Sequence, residues 1–109
     1  MNKQLSFTYE GKEYTLEFTR KTVEIMERNG FNVEEIRTKP ILTLPTLFAG
    51  AFLANHRYVK HDVIEAIYAL LPNKTELIGK LAEMYNEPIA ALVEEPEENA
   101  GNLTWTANW

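Results

Sequence analysis

Few side chains in this sequence are of the types that carry out covalent chemistry. Nucleophilic catalysis needs a serine, cysteine or threonine beside a base, and the chain has no cysteine and a single serine, Ser6. Ser6 falls in the polar row of a predicted strand, and the threonines at the predicted helix starts are explained by capping: Thr19, Thr43 and Thr75. This is poor material for a catalytic triad, and we predict that the protein is not an enzyme.

The histidines and carboxylates give no metal or acid–base pattern. His56 and His61 are five residues apart, which on one helix points them to different sides, whereas metal-binding pairs are typically four apart. With Asp62 alongside they remain a weak signal. The helical acids are predicted to lie on solvated faces: Glu34, Glu35, Glu83 and Glu87. Without a glycine-rich phosphate loop or a CxxC pair, we predict neither a metal nor a cofactor.

Charge and hydropathy exclude two classes of partner. The chain carries 16 acids against 11 bases, a net charge of −5, whereas nucleic-acid binding depends on clustered Lys and Arg. The first residues lack the apolar core of a signal peptide, and the most apolar segment is shorter than the roughly 20 residues that span a bilayer. Because cysteine is absent as well, we predict a cytoplasmic protein that binds neither nucleic acid nor membrane.

The N-terminal residues alternate between polar and apolar, which predicts a β-hairpin. In "LSFTYEGKEYTLEF" the apolar residues form one row on each strand: Leu5, Phe7 and Tyr9, then Tyr14, Leu16 and Phe18. A two-residue loop, Glu10 and Gly11, would pair Phe7 with Tyr14, and a four-residue loop would pair Tyr9 with Tyr14. Both registers put the two rows on one face, which the rest of the chain must cover.

Helix-capping residues divide the next part of the chain. Thr19 can cap a helix over residues 20–29, and Gly30 suits the left-handed position just past its end. Asn32, with Glu35 three residues later, predicts a short connecting helix that ends before Pro40.

The remaining helices are predicted from proline positions and caps. Thr43 can cap a helix to about residue 55, with Pro45 in its first turn, where a missing N–H costs nothing. A further helix covers about 62–71, and Asn73 with Glu76 predicts the start of the last one near residue 74. Pro88 is expected to kink or restart that helix.

These elements predict an α+β fold: an N-terminal two-stranded antiparallel hairpin packed on a mainly helical domain of four to five helices. We expect residues 1–93 to form one domain. From Glu94 the stretch "EEPEENAGNLTWTANW" holds four acids and no base, so residues 94–109 are predicted to form an acidic, mobile tail.

The most apolar segment, "TLPTLFAGAFLANHRYV" at residues 43–59, has two apolar helix faces. One is a wide stripe of Leu44, Leu47, Phe48, Ala51 and Phe52, and the other is mostly small: Ala49, Gly50, Leu53 and Ala54. In one interpretation this is a core helix, with the hairpin on one side and the 62–71 helix close to Gly50 on the other. In the alternative, one face is an exposed groove for apolar client segments.

The combination of "YEGKEYTLEFTRKTVEIMERNGF" near the start and "GNLTWTANW" at the end resembles the small tail assembly chaperones of long-tailed bacteriophages and of prophages in Gram-positive bacteria. The likeness is one of layout over nearly the whole chain: a hairpin entering a helix through "LEFTR", a hydrophobic helical middle, an acidic tail and a terminal Trp. It implies a non-catalytic protein that binds the helical tape measure protein, assists tail-tube assembly and is not retained in the virion.

Under this interpretation the partners are the tape measure protein and the tail-tube protein, with a homo-oligomer left open. The expected client-binding residues are Leu44, Leu47, Phe48, Phe52, Ile67 and Leu81, with Trp105 and Trp109 as a second contact. The alternative is a small regulatory module in which residues 20–37 form a helix-turn-helix. That segment has four bases against four acids, so the module would bind protein rather than DNA.

Overall fold

A computed structural model describes residues 3–94 and 103–109, and the predicted α+β class is confirmed. In chain order the elements are strands β1 (Gln4–Tyr9) and β2 (Lys12–Glu17), helix α1 (Arg20–Arg28), a 3-10 helix (Val33–Ile36), and helices α2 (Pro40–Gly50), α3 (His61–Leu70) and α4 (Lys74–Leu92). Residues 95–102 of the predicted mobile tail lie outside the described residues, and residues 103–109 have no helix or strand.

The hairpin has the register that a two-residue loop gives. Phe7 lies opposite Tyr14, and Tyr9 opposite Lys12, so the four-residue alternative is wrong. Glu10 and Gly11 have φ angles of 50° and 79°, the positive values required by the turn that matches the twist of the strands. The Phe7 and Tyr14 rings stack with their centroids 5.4 Å apart, which fixes the apolar face.

The second edge of β2 is bonded to the segment that follows α2. The Glu17 N–H donates to the Ala51 carbonyl at 3.2 Å, and the Thr15 N–H donates to His56 Nε2 at 3.0 Å. Asn55 Nδ2 donates to the Thr15 carbonyl at 3.2 Å. These bonds use backbone groups that would otherwise form an open sheet edge.

His56 must be neutral to make its bond to β2. Its Nε2 accepts the Thr15 N–H, so the nitrogen lone pair is occupied and a proton there would break the bond. Burial lowers the pKa of His56 below its usual 6.5, and the nearby Lys12 ammonium lowers it further. The ring also lies 5.0 Å from the Tyr14 ring, between centroids.

Helix α1 begins and ends as predicted. The Thr19 hydroxyl accepts the Thr22 N–H at 3.1 Å, and the Thr22 hydroxyl accepts the Thr19 N–H at 2.9 Å. This is a capping box with threonine in the place of the usual Glu or Gln. Gly30 has a φ of 89°, and Asn32 then caps only a four-residue 3-10 helix.

Helix α2 begins four residues earlier than predicted, at Pro40 with Lys39 as its N-cap, and it ends at Gly50 rather than at about residue 55. Thr43 is therefore not its cap; it is buried, and its hydroxyl donates to the Glu35 carbonyl at 3.4 Å. Pro40 takes the first helical position, where proline is favoured. Pro45 lies inside the helix rather than in its first turn, which leaves the carbonyl of Ile41 without its helical donor. Ile41 is exposed, so water can bond to that carbonyl.

Helix α3 lies one residue earlier than predicted, and α4 begins at Lys74 as predicted but without the predicted cap. Asn73 has a left-handed φ of 55° and no side-chain cap bond, so the predicted capping box with Glu76 is wrong. Instead, Lys74 Nζ donates to the Leu71 carbonyl at 2.6 Å and so caps the end of α3. Helix α4 continues through Pro88 and does not restart there. Among the described residues, no helix is both long and apolar enough to cross a membrane.

The core lies between the apolar face of the hairpin and the helices. Its centre is an aromatic cluster in which the Phe52 ring lies 5.2 Å from Phe48 and 6.0 Å from Tyr14, between centroids. The buried hydrophobic residues are Tyr14, Leu16, Phe18, Val23, Met26, Leu47, Phe48, Ala51, Phe52, Ile64, Ile67, Leu77, Leu81, Met84 and Tyr85. The core-helix interpretation of residues 43–59 is confirmed on this face.

We expect Phe52→Ala to lower the free energy of unfolding by about 3–5 kcal/mol, because it removes a ring that is 1% exposed and leaves a cavity between α2 and the hairpin. Chemical denaturation measures the change. Ile41→Ala, at a site 91% exposed, is the control and should stay within about 0.5 kcal/mol of the wild type. Equal midpoints for the two variants would contradict the packing described.

We expect His56 to make the fold less stable in mild acid. Its pKa is lower in the folded than in the unfolded chain, so the unfolded state takes up a proton first as the pH falls below about 6.5. Above that pH, His56 does not change the free energy of unfolding. Below it, protonation of His56 in the unfolded state lowers that free energy progressively.

Urea denaturation at about pH 7.5 and about pH 5.5 tests this when the wild type is compared with His56→Gln, whose amide oxygen can still accept the Thr15 N–H. The wild type should lose more stability over this range than His56→Gln, whereas His61→Gln should behave like the wild type. Identical losses in all three proteins would show that His56 does not titrate with unfolding.

Candidate functional site

The residues with catalytic potential lie apart from one another. Ser6 Oγ is 3.5 Å from Thr15 Oγ1, so its partner is a hydroxyl and not an imidazole. His61 Nε2 lies 3.1 Å from Glu65 Oε1, one turn along α3, while His56 is bonded to β2. In residues 3–94 and 103–109, no group of three or more His, Cys, Asp or Glu is placed to hold a metal ion.

The helical acids form surface ion pairs. Lys3 Nζ lies 2.7 Å from Glu83, and its backbone N–H donates to Glu87 at 3.0 Å. The hydrogen bond from Lys3 and its charge lower the pKa of Glu83. Glu35 pairs with Lys39 at 3.2 Å. Carboxylates that are paired with lysine at the surface stabilise the fold modestly and are not arranged as an acid–base couple.

Five of the predicted client-binding residues are core residues instead. Leu47, Phe48, Phe52, Ile67 and Leu81 are all buried, so in this fold they present no surface to a partner. For Leu47, Phe48 and Phe52 the physical reason is that this part of the stripe packs beneath the apolar face of the hairpin, so it cannot also receive a partner.

The other three predicted residues are accessible. Leu44 is half-buried, and Trp105 and Trp109 lie exposed in the C-terminal segment. The exposed apolar surface of α2 lies elsewhere, at its beginning. Ile41 is 91% exposed and Leu42 is 68% exposed, although both are large and aliphatic. Sequence reasoning missed them because it started the helix at Thr43, and the run "PILTLP" was the available signal.

A groove of about 390 Å³ runs beside these residues, between α1 and α2. We call it the α1–α2 groove; its lining is Ile25, Met26, Asn29, Gly30, Phe31, Asn32, Glu35, Leu42, Thr43, Thr46, Ala49, Gly50 and Leu53. Most of this lining is apolar. Ala49 and Gly50 at the end of α2, with Leu53 just after it, therefore form one wall of the groove.

The floor of the groove depends on a close approach at Gly50. A Cβ atom added there would collide with Sδ and Cε of Met26, so α1 packs directly on the backbone of α2. The prediction that the 62–71 helix, now α3, packs against Gly50 was wrong. The atoms nearest to a Cβ at Gly50 belong to Met26 of α1. Methionine has a flexible, polarizable side chain, so a floor that includes Met26 can adapt to the shape of a ligand.

The charges at the mouth of the groove are paired. Glu35, the charged residue of the lining, lies 3.2 Å from Lys39 Nζ. Asn29, just after α1, and Asn32, at the start of the 3-10 helix, also line the groove. Asn29 Nδ2 donates to the Ile25 carbonyl, and Asn32 Oδ1 accepts the Glu34 N–H. The site therefore combines an apolar floor with a few neutral polar groups, which suits an apolar segment and not an ion.

Comparison with known proteins gives a family without an assigned activity. One family model matches the whole of residues 1–109, and its description is Domain of unknown function (DUF5055). No curated protein matches the chain. No solved structure matches it either.

Proposed function

The chain belongs to the DUF5055 family, and since its description names no activity, we propose from the geometry of the α1–α2 groove that the protein acts by binding. Its ligand is an apolar helical segment of a partner protein. It is a chaperone-like binding protein and not a catalyst.

The observation that carries this proposal is the exposure of Ile41 and Leu42 beside an apolar groove. Single exposed hydrophobic residues are common on soluble proteins, whereas apolar residues that continue into a concave surface mark interaction sites. Leu42 belongs to both features, because it is 68% exposed and also lines the groove. A ligand that fills the groove would cover it.

The dimensions of the groove fit a short helical ligand. Leu42 and Ala49, which both line it, are seven residues apart on α2, or about 10 Å along the axis. This is about two helical turns, so the groove can take two or three successive anchors spaced at i, i+3 or i+4, and i+7 on the ligand.

The partner we propose is a phage tape measure protein, with delivery to the tail-tube protein. Support comes from the resemblance in layout to tail assembly chaperones, whose client is a long helical chain with apolar segments. The regulatory alternative is less well supported. Residues 20–37 contain one α-helix and a four-residue 3-10 helix rather than the two α-helices of a helix-turn-helix.

We expect Leu42→Asp to abolish client binding, because it places a charge where the ligand's apolar side chains would be desolvated. Co-expression with a helix-rich tape measure protein, followed by size-exclusion chromatography, measures both the soluble yield of the client and the complex. The wild type should raise the yield and co-elute with the client, and Leu42→Asp should do neither.

A matched control is available on another surface. Leu70, at the end of α3, is 70% exposed, so Leu70→Asp is the same substitution at nearly the same exposure. It should bind the client as the wild type does. A client that is equally soluble with and without this chain would refute the chaperone function, and equal loss in both variants would refute the assignment to the α1–α2 groove.

A further inference from the structure

A second groove, of about 280 Å³, lies between α1 and the last turns of α4. We call it the α1–α4 groove. Its apolar lining comes from Val23 on α1 and from Pro88, Ile89 and Leu92 on α4. It shares none of its lining residues with the α1–α2 groove and is formed by another pair of helices.

The end of α4 is apolar without being buried. The buried residues of this helix end at Tyr85, although the helix continues to Leu92. Beyond that point Ile89, Leu92 and Val93 are all exposed. An apolar face on a helix normally packs against another element, and here no element in the described part of the chain covers it.

The C-terminal segment, residues 103–109, carries large apolar side chains that are exposed. Its sequence "LTWTANW" has no charged side chain, and it forms no helix or strand, with Leu103, Trp105 and Trp109 exposed. Tryptophan offers a large apolar surface and one N–H donor, and in proteins it is typically buried or placed at an interface.

We propose that residues 103–109, which lie exposed in this structure, have a second, docked position in the α1–α4 groove of the same chain, with Trp105 as the anchor. The groove lies where α4 ends, because Leu92 is itself part of its lining. The nine peptide steps from Glu94 to Leu103 can span about 30 Å at most, which is ample for a segment that returns to the helix it follows. A tether of this length gives an effective concentration on the order of millimolar, so a weak contact suffices.

The chemistry of the groove suits an indole ring. Pro88 and Leu92 offer an apolar surface, and the rim carries Arg20 and Glu27. A guanidinium can lie against the face of an indole, and a carboxylate can accept its N–H, which is only a donor. Docking would therefore cover apolar surface on both partners and satisfy the one polar group of the ring. This inference does not depend on the proposed client.

Intrinsic fluorescence tests the proposal on the full chain, because Trp105 and Trp109 are its only tryptophans. A synthetic peptide of residues 103–109 provides the solvated reference. We expect the protein's emission to be blue-shifted relative to the peptide and less quenched by acrylamide. Leu92→Asp, at a site 56% exposed, should move both readouts to the peptide values, and Leu70→Asp should leave them at the wild-type values.

Two further variants identify the anchor. Trp109→Phe should keep the blue shift, because Trp105 remains, and Trp105→Phe should lose it. Circular dichroism verifies that each variant is folded.

Peptide-like emission from the wild type would overturn the proposal, as would a blue shift that survives both Leu92→Asp and Trp105→Phe. Release of the segment by Leu42→Asp instead of Leu92→Asp would assign it to the α1–α2 groove. A blue shift that disappears on dilution would show that the segment docks on a second copy.

Discussion

Hydrogen bonds along the second edge of β2 join the hairpin to the segment after α2, and the rest of the fold depends on them. A two-stranded hairpin is marginal by itself, and its open edge could pair with another chain. Here the edge is bonded by Ala51, Asn55 and His56. Because these residues directly follow α2, the same bonds hold Phe48 and Phe52 beneath the apolar face of the hairpin.

This arrangement decides which part of α2 can have another role. The stripe that includes Phe48 and Phe52 is committed to the hairpin, so it cannot also receive a ligand. The small face, with Ala49 and Gly50, packs partly against α1 and partly borders the α1–α2 groove. The large apolar residues that α2 leaves exposed, Ile41 and Leu42, lie at its beginning. The helix is thus a core element whose uncovered apolar surface lies in its first turn and along the wall of the α1–α2 groove.

Local rules were enough to predict much of the framework. The alternation in residues 5–18 gave the hairpin and its apolar face, and Thr19 and Gly30 gave both ends of α1, since strand periodicity and helix caps act over a few residues. Two hairpin registers satisfied the same pattern, however, and the positive φ angles at Glu10 and Gly11 show which turn the chain adopts.

The surfaces could not be predicted in the same way, because burial depends on which elements meet. The helical pattern of α2 has two apolar faces, and nothing local states which one the hairpin covers or that Met26 reaches Gly50. Its start was also ambiguous. Pro40 and Thr43 both suit the first residues of a helix, and choosing Thr43 removed Ile41 and Leu42 from consideration. Tertiary packing therefore decided both the core and the candidate site.

The distribution of the remaining apolar surface is itself informative. A chain of 109 residues has too large a surface for its volume to bury every hydrophobic side chain, so scattered exposure is expected. Of the ten large hydrophobic residues exposed in the described part, only Tyr58 and Leu70 lie outside three short stretches. The other eight cluster at the start of α2, at the end of α4 and in residues 103–109. Random excess would be spread over all the elements, whereas two of these clusters border a groove and the third follows one of them in the sequence.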